Sequence, residues 1–212
     1  MDAHVFRAWI TSAAGVIEAN RDHLTQLDAA IGDADHGINL ARGFTAVLGA
    51  LEAEGEKVAT PGAILTVTGN TLISKVGGAS GPLYGVAFRR AGKALGDAAD
   101  VDLPALSAAL DAALAGVQQL GAAREGDKTM VDALAAATRA FSKAIAESAS
   151  PDDALSTLAE AAQAGATATI SMQALKGRAS YLGPRSVGHE DPGAVSTALI
   201  LGALRDAARA GR

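Results

Sequence analysis

Three aspartates, Asp28, Asp33 and Asp35, stand within one short stretch, with Gly32 and Gly37 bracketing the last two. Two carboxylates about 4 Å apart repel by roughly 4 kcal/mol at an effective dielectric near 20. A tight turn that gathers three of them therefore calls for positive charge in their midst. Residues 27–43 contain no lysine, and Arg42 comes a turn or two later. An all-oxygen set of this kind suits a hard divalent cation, Mg²⁺ or Ca²⁺. The spacing does not fit a calcium EF-hand loop, whose ligands alternate over twelve residues and end in Glu. Mg²⁺ takes few protein ligands and fills its shell from water and phosphate, so a phosphorylated ligand is the natural companion. Spacing alone also leaves a plainer reading open, in which Asp35 caps a helix starting near His36 and Asp33 is solvated beside it.

Two further stretches offer a place for phosphate. Gly77-Gly78-Ala79-Ser80-Gly81 precedes a predicted helix, and the free N–H groups and dipole of a helix start bind anions. It is not a Walker A loop, which needs Gly-x4-Gly-Lys-Ser/Thr after a strand; an ordinary tight turn is the alternative. Residues 176–191 read as irregular and rich in Gly, Arg and Ser, and a long unstructured run inside a helical protein is usually functional. Lys176, Arg178 and Arg185 are concentrated there in a chain of net charge −5, which suits an anionic ligand or an acidic partner surface. A solvated basic loop is the plainer reading. His36 and His189 sit in such loops, and spacing does not assign either.

The elements that would carry these stretches are helical. Alanine is the commonest residue, aromatics make up 3%, and alternating β-branched runs are scarce, so an all-α protein with closely approaching helices is expected. Periodicity and capping predict helices over 3–20, 37–54, 61–75, about 83–95 after a break at 76–82, 103–120, 129–147, 150–175 with a kink near Gly165, and 191–210. A shorter helical turn is predicted at 24–31. Thr60-Pro61, Ser150-Pro151 and Asp191-Pro192 mark three of the starts. No repeat or linker is evident, so residues 1–212 read as a single domain. The acidic charge balance argues against nucleic acid, which needs a basic face. There is no Cys, no signal-peptide pattern and no apolar run of membrane-spanning length, so no membrane partner is expected and a cytoplasmic location is.

Four ordered motifs together resemble a known family. Leu27-Asp28-x-x-Ile31-Gly32-Asp33-x-Asp35-His36-Gly37-x-Asn39, Gly77-Gly78-Ala79-Ser80-Gly81-Pro82, Gly126-Asp127-Lys128-Thr129-Met130-x-Asp132-Ala133-Leu134, and Gly177-Arg178-Ala179-Ser180-Tyr181-Leu182-Gly183 through His189-x-Asp191-Pro192-Gly193-Ala194 are similar to the signatures of the dihydroxyacetone kinase L subunit. The resemblance covers essentially the whole chain. It implies a barrel of eight antiparallel up-and-down helices with an adenine nucleotide at one end. It places two Mg²⁺ on Asp28, Asp33 and Asp35, and nucleotide contacts on His36, Gly37, Ile38, Asn39, Ala79, Ser80, Met130, Arg178, Asp191, Pro192 and Gly193, with Gly121 outside the motifs. Lys128 stands where the pattern has Arg, and Pro184 where it has an acidic residue.

The same resemblance implies a mechanism. One branch of the family joins the L domain to a substrate-binding K domain and uses ATP. In the other, a separate L chain of this length holds ADP as a coenzyme. ADP becomes ATP at the expense of a phosphohistidine on an M subunit, and the phosphoryl group passes to dihydroxyacetone on the K subunit. With no K domain in this sequence the second branch is expected, with the K and M subunits as partners and a homodimer as the assembly. Such transfer needs positioning and charge neutralisation more than a protein nucleophile, so no catalytic side chain is assigned. Two alternatives are an ATP-dependent kinase subunit for another small ketose and a non-catalytic nucleotide sensor that docks on a transcription regulator.

Overall fold

The computed structural model describes residues 1–211. Among them are nine α-helices and no strand: α1 (Ala3–Ala19), α2 (Arg21–Ile31), α3 (His36–Glu54), α4 (Pro61–Lys75), α5 (Ser80–Leu95), α6 (Leu103–Gly121), α7 (Met130–Ala146), α8 (Pro151–Ala168) and α9 (Pro192–Ala210). The starts follow the side-chain chemistry. Thr60, Ser150 and Asp191 each accept a backbone N–H of the first turn while the proline behind them occupies a position that needs no donor. Asp102 does the same for α6, with Pro104 one place further on.

All the helices except α2 pack in chain order, and α9 returns against α1 to close a ring. Neighbours run antiparallel. Arg7, early in α1, donates to the carbonyls of Leu51, Gly55 and Val58 around the end of α3; Trp9 Nε1 donates to Ile200 O midway along α9 at 2.9 Å, and Gly211, just past α9, lies against Val5 near the start of α1. A small aromatic group fills the centre: Phe6 and Phe88 flank Trp9 at centroid distances of 5.7 and 5.8 Å, and Phe44 meets Phe88 edge-on at 6.3 Å. Most of the remaining core is Ala, Leu, Ile and Val, and small residues let the backbones approach closely. At the α4–α5 seam a Cβ on Gly69 would lie 2.5 Å from Gly85 O.

Three boundaries differ from expectation. The short turn before the acidic loop is an 11-residue helix, α2, outside the ring. Helix α8 ends at Ala168 instead of near 175 and runs unbroken through Gly165, where α7 lies close: a Cβ there would be 2.6 Å from Asp132 O. Thr169 turns its hydroxyl onto Ala166 O at 2.6 Å and ends the helix. Residues 176–191 are not wholly irregular: Arg178–Ser186 is a 3₁₀ segment broken at Gly183, whose φ of 55° is open to glycine at little cost.

Candidate functional site

Antiparallel order puts the first turns of α3, α5, α7 and α9 at one end of the ring, and α2 lies there too. A cavity at this end is lined by the leading residues of those four helices: His36 of α3, Ala79 and Ser80 at α5, Thr129 and Met130 at α7, and Asp191, Pro192 and Gly193 at α9. Four helix starts aimed at one space sum their partial positive charges, which favours a polyanion. Their free donors differ. Thr129 and Asp132 form a capping box at α7, and Asp191 caps α9, but the start of α5 carries no side-chain cap. The N–H groups around Ala79–Ser80 are thus available to a ligand.

The aspartates stand on one side of this cavity. Oxygens from Asp28, Asp33 and Asp35 all lie within 4.8 Å of one another. Asp28, on the last turn of α2, is buried; its Oδ2 accepts the backbone N–H of Asp35 at 2.8 Å and of His36 at 3.2 Å. The plainer sequence reading is thereby corrected: Asp35 occupies the cap position of α3 but makes no side-chain cap bond, and Asp28 takes that role from a different helix. Gly32 makes the fold-back possible, since a Cβ there would stand 2.0 Å from Asp28 Oδ1. Asp33 pairs with Arg178 at 3.1 Å, both side chains being substantially exposed. Three convergent carboxylates with no other ligand type suit a hard cation that completes its shell with water or phosphate.

Beneath the cavity a buried polar network joins three helices. His36 Nε2 meets Ser196 Oγ at 2.8 Å; Tyr84 OH meets Ser196 Oγ at 2.7 Å and Thr197 Oγ1 at 2.9 Å, and reaches Gly193 O at 3.0 Å. Burial pulls the His36 pKa below the ordinary histidine value against the opposing pull of Asp28 and Asp35, which favours the neutral ring. Burial likewise raises the Tyr84 phenol. Asp191 is pushed up to about 7, first by desolvation and then by Asp132 and Asp28, although the Ala194 N–H and Lys128 favour its ionised form.

Of the residues named from sequence, Asp28, Asp33, Asp35, His36, Ala79, Ser80, Met130, Arg178, Asp191, Pro192 and Gly193 come together around the cavity. Gly37, Ile38, Asn39 and Gly121 do not line it. Gly37 packs on α2, where a Cβ would lie 2.0 Å from Arg21 O; Ile38 is exposed; buried Asn39 accepts from Arg42 at 2.8 Å beside Gly77; and Gly121 lies against Leu83, itself a lining residue. Arg185 is not among the lining residues, and the His189 side chain is exposed. Tyr84, Lys128, Thr129 and Lys176 also line the cavity. Thr129 carried a readable signal, the Thr-x-x-Asp capping pattern at a helix start. Tyr84 carried only its place one turn after Ser80.

Residues 30–206 match the family described as the DAK2 domain. Over 201 residues the chain is 42% identical to the PEP-dependent dihydroxyacetone kinase, ADP-binding subunit DhaL, of Escherichia coli (strain K12), covering 95% of each chain. Over 196 residues it is 39% identical to the PEP-dependent dihydroxyacetone kinase 1, ADP-binding subunit DhaL, of Listeria innocua, covering 92% of each. The crystal structure of the dihydroxyacetone kinase from C. freundii in complex with AMP-PNP and Mg²⁺ superposes with a TM-score of 0.71 at 29% identity, over 97% of this chain and 34% of that one. The chain therefore spans about a third of the length of that solved relative. With the family's match running from the acidic loop almost to the end of α9, this chain belongs to the DAK2-domain family.

Proposed function

We propose that this chain, as a single domain over residues 1–212, is the nucleotide-holding subunit of a phosphoenolpyruvate-dependent dihydroxyacetone kinase. The observation that carries this reading is the meeting of three carboxylates and four helix starts at one cavity, one of those starts being uncapped. Asp28, Asp33 and Asp35 hold two Mg²⁺, which supply charge neutralisation at the phosphates. The helix starts at Ala79–Ser80, Met130 and Asp191–Gly193, together with His36 and Arg178, bind and orient ADP, or ATP when phosphorylated. Gly37, Ile38, Asn39 and Gly121 support those contacts from behind or beside the cavity. No side chain is covalently modified: the phosphoryl group arrives from a phosphohistidine on an M subunit and leaves to dihydroxyacetone on a K subunit. Near-complete mutual coverage with ADP-binding subunits of PEP-dependent kinases favours this donor over free ATP.

Mass analysis of nucleotide released from the purified, denatured protein tests the reading: ADP is expected, and it should survive gel filtration only when Mg²⁺ is kept. Asp33→Asn and Asp35→Asn should each lose that retention while far-UV circular dichroism stays that of the wild type. Mixed with K-type and M-type chains, phosphoenolpyruvate and the general phosphotransferase proteins, the wild type should form dihydroxyacetone phosphate. Light scattering of the purified chain should give the mass of a homodimer, and fractionation should find it in the cytoplasm. Retained nucleotide in both variants, or ATP-driven turnover with no M-type chain, would remove the assignment. Nucleotide binding without transfer in the complete mixture would instead make the chain a sensor for a transcription regulator.

A further inference from the structure

Part of the cavity wall, residues 176–179 and Asp191, belongs to one segment of chain, residues 169–191, that leaves the end of α8 and returns to the start of α9. Its two ends are fastened to each other: Gly188 N–H donates to Ile170 O at 2.8 Å, and Asp191 N–H donates to Thr169 Oγ1 at 2.9 Å. Its middle makes fewer ties to the rest of the protein, although within it Ala174 N–H donates to the buried Ser186 Oγ at 2.9 Å. Ala174 and Ala179 meet Ile31 of α2 in a three-residue buried cluster, with Leu182 packed on it, apart from the main core. Arg178, which reaches the cavity from this middle stretch, pairs with Asp33, both side chains being exposed.

Lys128 enters where the ends meet. It is 1% exposed and is the sole lysine or arginine among the buried described residues. Its backbone adopts φ 60°, a conformation uncommon for a residue with a side chain, at the turn directly before the Thr129 cap of α7. From there Nζ donates to Thr169 O at 2.6 Å and to His189 O, one carbonyl from each end of the segment. One residue earlier, Asp127 O accepts from Leu175 N at 3.1 Å. Burial lowers the pKa of the ammonium, while the nearby charges of Asp191, Asp132 and Glu190 oppose that fall and favour its charged form. A buried ammonium is tolerated only when its donors are taken up, so the carbonyl pair and the cation constrain one another.

We infer that Lys128 is a positioning residue of the nucleotide cavity, whose ammonium ties both ends of the 169–191 segment to the start of α7 and so sets where Arg178 and the first turn of α9 stand. This rests on the nucleotide-holding role proposed above. The same side chain aligns two of the four helix starts relative to each other, because Met130 lies two residues beyond it and Asp191 two residues beyond His189.

The test uses the full chain with Lys128→Met, which keeps the aliphatic stem, and Lys128→Arg, which keeps the charge and donors. Affinity for a fluorescent ADP analogue with Mg²⁺ and peptide-resolved hydrogen exchange without nucleotide are the two readouts. Lys128→Met should bind at least tenfold more weakly and exchange faster across 170–191, with α1 and α4 unchanged; Lys128→Arg should stay within threefold of wild type on affinity and match its exchange. Binding by Lys128→Met less than tenfold weakened, exchange rising equally throughout the ring, or Lys128→Arg sharing the full loss would overturn the inference. If Lys128→Met does not fold, Lys128→Gln takes its place with the same criteria. A wild type that binds no Mg²⁺-ADP would defeat the proposed function instead, and the exchange pattern would still decide the role of Lys128.

Discussion

Replacing Gly32 by Ala puts the metal cradle to a quantitative test without touching a carboxylate. Gly32 sits at φ −141° and ψ −136°, so no left-handed backbone calls for glycine here. The added Cβ, however, would lie 2.0 Å from Asp28 Oδ1 and 2.8 Å from Asp28 Cγ, so the carboxylate must swing away. It then gives up the N–H groups of Asp35 and His36. Two bonds to a charged acceptor are worth at least about 3 kcal/mol. Acting the other way, moving Asp28 off two carboxylates within 4.8 Å relieves part of a repulsion of about 3 kcal/mol or more from each at an effective dielectric near 20. Without metal the two effects oppose each other, and the melting temperature should fall by less than the roughly 6–12 °C that losing the hydrogen bonds alone would give. With metal there is no such offset, because the bound cation already neutralises the carboxylates and loses a ligand when one leaves. Disturbing the groups that orient a metal ligand commonly costs about 10–100-fold in affinity, or about 1.4–2.7 kcal/mol. Titration calorimetry of Mg²⁺-ADP into Gly32→Ala should show a loss of that size, with a correspondingly smaller ligand-induced rise in melting temperature. Affinity within threefold of wild type would refute the reasoning, as would a large destabilisation confined to the metal-free protein.

Three other perturbations probe separate parts of the site. Arg178→Ala should leave stability within about 1 kcal/mol, since the exposed pair with Asp33 is worth little, yet weaken Mg²⁺-ADP binding; unchanged binding would return Arg178 to the solvent-exposed surface. Tyr84→Phe removes the phenol hydroxyl under Gly193 and should cost about 1–2 kcal/mol in urea unfolding, because Ser196 and Thr197 keep their own backbone acceptors. Asp191 has its pKa raised by burial from 3.8 to about 7. Its proton is therefore bound more tightly in the folded state, and the stability this provides is full below about pH 4 and disappears as the pH climbs through 7. Nucleotide-free wild type should accordingly lose more stability between pH 5 and 8 than Asp191→Asn, and parallel curves would count against a protonated Asp191.

Much of this molecule was readable from the order of its residues, and the parts that were not share a cause. The helix starts at Thr60, Ser150 and Asp191 were plain because a capping side chain followed by proline is a local device. The aspartate trio was visible as a cluster, but its geometry was not: Asp28 caps α3 from the end of α2, a contact between elements that periodicity within either one cannot reveal. Helix α2 reads in sequence as a mere turn because only Leu24, Asp28 and Ile31 are buried along it, too few for a clear stripe. Helix α8 was read seven residues too long because Thr169 to Leu175 contains no proline or glycine; what ends it is the grip of Thr169 on Ala166 O and of Lys128 on Thr169 O. Tyr84 and Lys128 were missed as cavity residues for the same reason, since their partners lie 41 to 113 positions away in the chain.

The alternating direction of the ring has a practical side. Every hairpin opposite the cavity, such as residues 96–102 and 147–150, is separated from it by a full helix, and the 16 residues of α5 amount to about 24 Å. A dye, affinity handle or surface anchor attached at those turns would sit at the distal pole, within energy-transfer range of a labelled nucleotide yet clear of the mouth through which it enters. Single-molecule residence times could then be recorded with the reactive pole facing free solution.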